Sequence, residues 1–363
     1  MDRMIPLLII VGFIVCPVVS VAAEPDAGGG KRLAGMKWDP SWISHMACLV
    51  GCADYLKLDV PPAWIHGASA HAFALNIHPQ LCPSGPTAWP TKKCNILVGD
   101  VGLHIKAHMT HSRDPNVAQR RREIFQQVRK AIDANRPCIG WEMGVPEWYP
   151  ICGYDGAGNY LYLGFDGKVG KKEHEKLGDS GIGVTNVLIV EPGSRADDRT
   201  TVRESLRMAL KIATGKCAWK NYAGGLAGYD AWIKGLDANG TLGLGAAYNA
   251  QCWAECRRNA VAFLALAAKR LPDKAMAPHF KQAINSYKAV SRQLDVVAET
   301  FPFNHRDQKM MDANLADPKR RAKAAEALRK ARKAERAGIQ ALAKLAVALG
   351  AKDVNPDKLA LPE

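Results

Sequence analysis

Pro192 divides this chain into two kinds of sequence, and that division constrains the fold more than any other feature. After it, apolar residues recur at helical spacing over 201–214, 222–236, 246–270, 275–300 and 319–349. Before it, helical and strand patterns mix. Trp42 to Leu58 carries Ile43, Met46, Ala47, Val50, Tyr55 and Leu58 on a helical period, with Ser41 as a cap after Pro40. Pro61-Pro62 closes that segment. A short helix and a turn of small residues follow over 63–70, then an apolar stretch from His71 to Ile77 and a loop over 79–94. Ile96 to Lys106 alternates like a strand, and Asn116 to Asn135 reads as an amphipathic helix carrying Ile124, Val128 and Ile132. Strand signals then cluster at 137–143, 148–154, 159–165 and 184–191. Asp155-Gly156-Ala157-Gly158 between the second and third is a strong hairpin turn. Mixed elements followed by helices alone predict an α+β protein. The expected units are an α/β domain over 38–195, a helical domain over 196–305, and a basic C-terminal helix and tail over 306–363. The 363 residues suit two domains or one large one, and a hydrophobic content of 48% is ample for a core.

The first 23 residues read as a secretory signal peptide. Asp2 and Arg3 precede an apolar run from Ile5 to Val21, broken by Pro17, and Val21-Ala22-Ala23 offers small residues before Glu24. The run is near the lower length limit for a membrane span, so an uncleaved anchor is the alternative. Cys16 has no lipoprotein-type box before it. Residues 24–37, with Ala27-Gly28-Gly29-Gly30, read as a flexible tether. The expected location is secreted or periplasmic. The formal net charge is +14, and much of it is local: residues 319–352 hold eleven Lys and Arg against two Glu. A general nucleic-acid surface is therefore not indicated. The 319–349 helix keeps an apolar stripe of Leu328, Ala331, Ile339, Leu342, Leu345 and Leu349 beside its basic face. Such a helix lies on an anionic membrane or envelope polymer, or packs in a bundle with one solvated face.

Nine cysteines lie outside the leader, so a secreted chain leaves at least one thiol free or intermolecular. Cys82 and Cys94 flank a Pro-rich loop and are the best disulfide expectation. A cysteine-bearing helix followed by an antiparallel set of strands is the layout of papain-type cysteine hydrolases. The residues carrying the likeness are Cys48-Leu49-Val50-Gly51-Cys52, then Trp64-Ile65-His66-Gly67 through His71-Ala72-Phe73. Later come Arg136-Pro137-Cys138-Ile139, Glu147 through Cys152-Gly153-Tyr154-Asp155, and Tyr160-Leu161-Tyr162-Leu163. Over roughly residues 38–300 the chain resembles the bacteriocin-leader peptidases and, more closely, the group containing the N-terminal domain of butirosin-biosynthesis protein H, an acyltransferase. The resemblance implies a papain-like helix-plus-antiparallel-sheet domain, with Cys48 as nucleophile and Asp166 as the acid that orients a histidine. A thiol at a helix N-terminus is easier to ionise, and a neighbouring base takes its proton. Counting back from Gly153, however, the position of the family's histidine holds Glu147. A carboxylate there deprotonates a thiol only if burial raises its pKa by several units. His45, His66 and His71 are the imidazoles near Cys48 in sequence.

The resulting expectation is a thiol-dependent hydrolase or acyltransferase acting on an amide or peptide-like substrate. Cys48, Glu147 and Asp166 would be catalytic. Trp148, Tyr149, His45 and His71 would contact substrate, and the Cys48 backbone amide would help hold an oxyanion. The alternative is a catalytically inactive scaffold that binds a peptide or small-molecule ligand in the cell envelope. His45, Cys48 and Cys52 are metal-ligand types at helical spacing, but no second pair accompanies them, so no metal is expected. There is no haem-attachment motif and no phosphate loop, and no cofactor is expected. Glu142 and Glu147 flank a short loop and could act as paired carboxylates or be solvated loop ends. Tyr222, Tyr229, Asp230 and Trp232 read as an interdomain seam. Glu255 with Arg258 reads as a structural ion pair with the neighbouring helices.

Overall fold

The computed structural model describes residues 25–26, 29–89 and 91–362; the expected leader lies outside the described residues. The strands are β1 (Pro25–Asp26), β2 (Gly30–Arg32), β3 (Asn76–Ile77), β4 (Leu103–His111), β5 (Cys138–Trp141), β6 (Trp148–Tyr154), β7 (Asn159–Leu163), β8 (Val169–Glu173), β9 (Val184–Pro192) and β10 (Ala223–Gly224). The helices of the first half are α1 (Ser44–Tyr55), α2 (Pro62–Ala68), α3 (Lys92–Leu97) and α4 (Val117–Asp133). Those after Pro192 are α5 (Asp198–Ala213), α6 (Leu226–Gly235), α7 (Gly243–Arg270), α8 (Ala277–Thr300), α9 (Gln308–Ala316) and α10 (Pro318–Ala348). The chain is α+β, as its sequence predicts.

One antiparallel sheet runs in the order β4-β9-β5-β6-β7-β8. The hairpin β6–β7 forms where Asp155 to Gly158 predict it: the Asp155 carboxylate accepts from the backbone N of Ala157 (3.0 Å) and Asn159 (2.9 Å). β6 is buried along its whole length, so Trp148 to Tyr154 reads as a continuous apolar run rather than an alternating one. β2 lies end to end with β5 along β6, pairing Lys31 with Tyr154 and Arg32 with Gly153. The expected tether is thus partly structured, with Leu33 and Met36 buried beyond the strand. Gly153 permits this: a Cβ there would stand 2.4 Å from the Lys31 carbonyl oxygen. The strand expected over 96–106 is instead a helical turn followed by β4, which begins at Leu103. β8 and α9 form without a clear sequence signal.

The helical half is a bundle in which α8 packs against α7 and α10. The apolar stripe of α10, Leu328 to Leu349, is at most 2% exposed, which leaves only its basic face to solvent. Insertion of that stripe into a membrane is therefore not open to the folded chain. Among the described residues no helix is long and apolar enough to cross a membrane.

The two halves share one hydrophobic core, from Leu33 to Ala351. Phe263 of α7 sits on Gly67 of α2, where a Cβ would stand 1.9 Å from the ring. At the centre of the seam, the wholly buried Arg257 guanidinium donates to Glu335 (2.7 and 3.0 Å) and to the carbonyls of Ala72 (3.3 Å) and Ala74 (2.5 Å). The Tyr229 hydroxyl also donates to Glu335. Asp230 pairs with Arg332 at 3.2 Å, and Trp232 is fully buried. Of Glu255 and Arg258, Arg258 makes the expected ion pair with a neighbouring helix, reaching Asp295 on α8 (2.5 Å), while Glu255 accepts from the Ser41 hydroxyl and the Trp42 backbone N (3.0 Å).

Candidate functional site

Glu255 straps the segment before α1 against α7, and that strap forms one wall of a broad cleft. The floor is the face of the sheet opposite α4. Turns at 144–149 and 164–166 close one side; the loop over 82–92, Tyr222 and Tyr248 close the other. The cleft holds about 2760 Å³. That is well above the roughly 300–1,000 Å³ of a small-molecule pocket. Two aromatic groups flank it. In the first, Tyr149 stacks on Phe165 at 4.8 Å, with Trp38 at 5.1 Å from Phe165 and Tyr162 at 5.2 Å from Tyr149. In the second, Trp42 meets Tyr248 and Phe303 edge to face and Tyr248 is tilted against Phe303, with centroids 5.1 to 6.3 Å apart.

The cleft is also where exposed apolar surface gathers. Among the described residues nine large apolar side chains are exposed, and six of them line this cleft: Ile96, Met109, Val145, Phe165, Ile182 and Trp219. Exposed apolar residues are ordinary when scattered; gathered in one concavity they mark a binding surface.

Glu147 stands on the cleft wall between the two aromatic groups. The hydroxyls of Ser44 and Tyr248 donate to its two carboxylate oxygens, and the Ser44 hydroxyl accepts from the backbone N of Trp148 at 3.1 Å. Burial raises its pKa, and the two hydroxyls oppose the rise. Glu142 is not its partner. The Glu142 carboxylate accepts from Ser180 at 2.6 Å, and the two residues meet only through the backbone, Glu142 N to Glu147 O at 2.8 Å. That bond closes the loop that projects Val145, and it holds Glu142 at a φ of 60°, strained for a side chain with a Cβ.

Cys48 lies behind this wall, not on it. It is the fifth residue of α1, fully buried, and does not line the cleft. Burial pushes its thiol well above the ordinary range, and Cys52 and Glu147 push it further the same way. The helix dipole offers little help, since its effect fades beyond the first turn. The Cys48 amide also lies past the free N–H groups of the helix start, so it is not placed to hold an oxyanion.

No histidine is hydrogen-bonded to Cys48 among the described residues. His45 turns inward against Trp148 (5.2 Å between rings), and burial lowers its pKa to about 4. His71 is buried against Trp89 (5.0 Å), with its Nδ1 3.7 Å from the Cys256 sulfur. Burial, then the neighbouring His45 and His66, holds His71 well below the ordinary range. Asp166 does line the cleft, but its exposed carboxylate accepts from the Lys168 backbone N (3.1 Å) and pairs with the Lys168 ammonium (3.5 Å). These contacts lower its pKa and place it in a turn where, among the described residues, no imidazole is hydrogen-bonded to it.

The structure therefore brings Glu147, Trp148, Tyr149 and Asp166 to one cleft and leaves Cys48, His45 and His71 in the interior. The site residues missed by the sequence reading are Ser44, Trp42, Tyr248, Phe303, Met109 and Trp219. Nothing in their local sequence marks them; they meet only through the tertiary fold. The nine described cysteines are all free. The expected Cys82–Cys94 bridge is absent: Cys82 accepts from the Ser84 hydroxyl at 3.0 Å, and buried Cys94 neighbours Cys217. Among the described residues no three His, Cys, Asp or Glu side chains converge as a metal site requires. Compared with known proteins, the chain matches no family model, and no curated protein is significantly similar to it in sequence.

Proposed function

We propose that this chain is an exported binding protein whose cleft takes up a peptide-like ligand, with papain-like ancestry but no working thiol. The observation that carries the reading is the concentration of six exposed apolar side chains in one aromatic-flanked cleft. Its volume suits an extended chain better than a small molecule. Export rests on the leader-like first 23 residues. Against a thiol hydrolase stand the burial of Cys48 away from the cleft and the raised pKa of its thiol, which the nearby Glu147 carboxylate raises further. Glu147 and the Ser44 and Tyr248 hydroxyls are then groups that shape the wall and orient ligand polar atoms. The basic face of α10 remains a candidate contact for an anionic envelope surface, by charge alone.

The test is retention of peptides. The purified protein is mixed with a tryptic digest of casein, separated from free peptide by gel filtration, and the retained peptides are identified by mass spectrometry. We expect apolar peptides to be retained, and retention to fall in a Met109→Asp, Phe165→Asp double variant. No retention, together with Cys48-dependent turnover of amide or ester substrates, would restore the hydrolase reading.

A further inference from the structure

β4 is an edge strand, and its free edge borders the cleft. In the β4–β9 ladder, Leu103 pairs with Pro192 and His111 with Val184. Backbone bonds from Gly193 N to Gly102 O (3.0 Å) and from Ser112 N to Gly183 O (2.7 Å) flank the ladder in the same register. Bonded pairs alternate along an antiparallel ladder. His104, Lys106, His108 and Thr110 therefore exchange bonds with β9. The N–H and C=O groups of Ile105, Ala107 and Met109 point away from it, and among the described residues no other strand or side chain pairs with them.

The side chains of the same three residues line the cleft. This follows from strand geometry, because alternate side chains share a face. Thr185, opposite Thr110, lies on the face that meets Arg121 of α4, so the odd-numbered set faces the other way. Ala107 is exposed and Met109 is 66% exposed. A long, open edge with exposed apolar residues is a template for pairing that folded proteins ordinarily cover or blunt. Here Lys106, with His104 and His108, projects from the strand face opposite to Ile105, Ala107 and Met109, with His104 and Lys106 at the rim of the cleft; the Lys106 side chain is 65% exposed and pairs with Glu191 at 2.9 Å.

We propose that the edge of β4 takes up an extended peptide as an added strand. Its apolar side chains enter the cleft beside Met109, Ile96 and Ile182, and acidic side chains at the alternate positions lie beside His104, Lys106 and His108. Backbone pairing supplies affinity and the alternation supplies selectivity, the division of labour in strand addition. A second copy of this chain is the less suited occupant, since edge-to-edge pairing of two β4 strands sets the Lys106 faces together with no acid on the incoming strand. The proposal rests on the reading of the cleft as a peptide site and specifies how the peptide is held.

The probe is a display library of random nonapeptides selected on the full protein. The expected result is enrichment of sequences alternating apolar and acidic residues. Synthetic copies should lose about tenfold in affinity or more when alternate amides are N-methylated, which deletes the strand bonds and leaves the side chains. Ala107→Pro, which removes an outward N–H at a position where an edge strand tolerates proline, should weaken binding to a similar degree, with an unchanged circular dichroism spectrum as control. N-methylation needs no change to the protein, so the test stands even if that variant folds poorly. Peptides that bind in the cleft but ignore both changes overturn strand addition and leave the cleft reading intact. Failure to enrich any peptide overturns both. A concentration-dependent dimer abolished by Ala107→Pro assigns the edge to a second copy and overturns the proposal.

Discussion

Removing Arg257 should cost the protein more than any other single change of a charged residue. The guanidinium is 0% exposed and joins α7 to Glu335 on α10 and to the carbonyls of Ala72 and Ala74. In Arg257→Met the methylene volume stays, but Glu335, only 4% exposed, keeps a single donor, the Tyr229 hydroxyl. An uncompensated buried charge of this kind costs about 3–5 kcal/mol. Two carbonyls left without a donor would each add about 1–3 kcal/mol, less whatever protonation of Glu335 recovers. We therefore expect an unfolding free energy lower by about 3–5 kcal/mol near neutral pH, measured by urea denaturation followed by tryptophan fluorescence. A second change, Glu335→Leu, should recover part of the loss, because a buried pair replaced as a unit is often near neutral. A deficit below about 1 kcal/mol, or a double variant as unstable as the sum of the singles, would falsify this account of the seam.

Three further outcomes follow from the interior. His45 and His66, both held at about 4 by burial, stay neutral in the folded chain below the pH at which unfolded histidine takes up a proton. Stability should therefore fall from about pH 6.5 down to about pH 4, by up to roughly 3 kcal/mol for each histidine; His66→Leu should flatten the fall, and an unchanged slope counts against it. Cys48 should resist iodoacetamide in the native protein and label only on unfolding, whereas the half-exposed Cys82 and Cys217 label first; rapid native labelling of Cys48, mapped by mass spectrometry, contradicts its burial. Gly67→Ala should destabilise by about 1–3 kcal/mol or more through collision with Phe263, and a melting temperature equal to wild type would show that α2 and α7 do not approach as closely as described.

The sequence by itself determined the class of the fold and most of its elements. Periodicity is a local property, so the change at Pro192, the β6–β7 hairpin and the bundle helices were readable within one or two turns of their ends. Trp148, Tyr149 and Glu147 lie at the cleft, on and beside a strand whose apolar run marks it as central. Tertiary structure alone decided the rest. A cysteine near a helix start looks the same in sequence whether its helix N-terminus faces a cleft or a core; the packing of α1 against β6 and α2 puts Cys48 in the core. The cleft itself joins residues as far apart as Trp42, Met109, Trp219 and Phe303, and no local pattern relates them. Whether the edge of β4 is paired or open is likewise set by what the rest of the chain leaves uncovered. Local sequence fixes which way a side chain alternates, but exposure is a property of the whole packed chain.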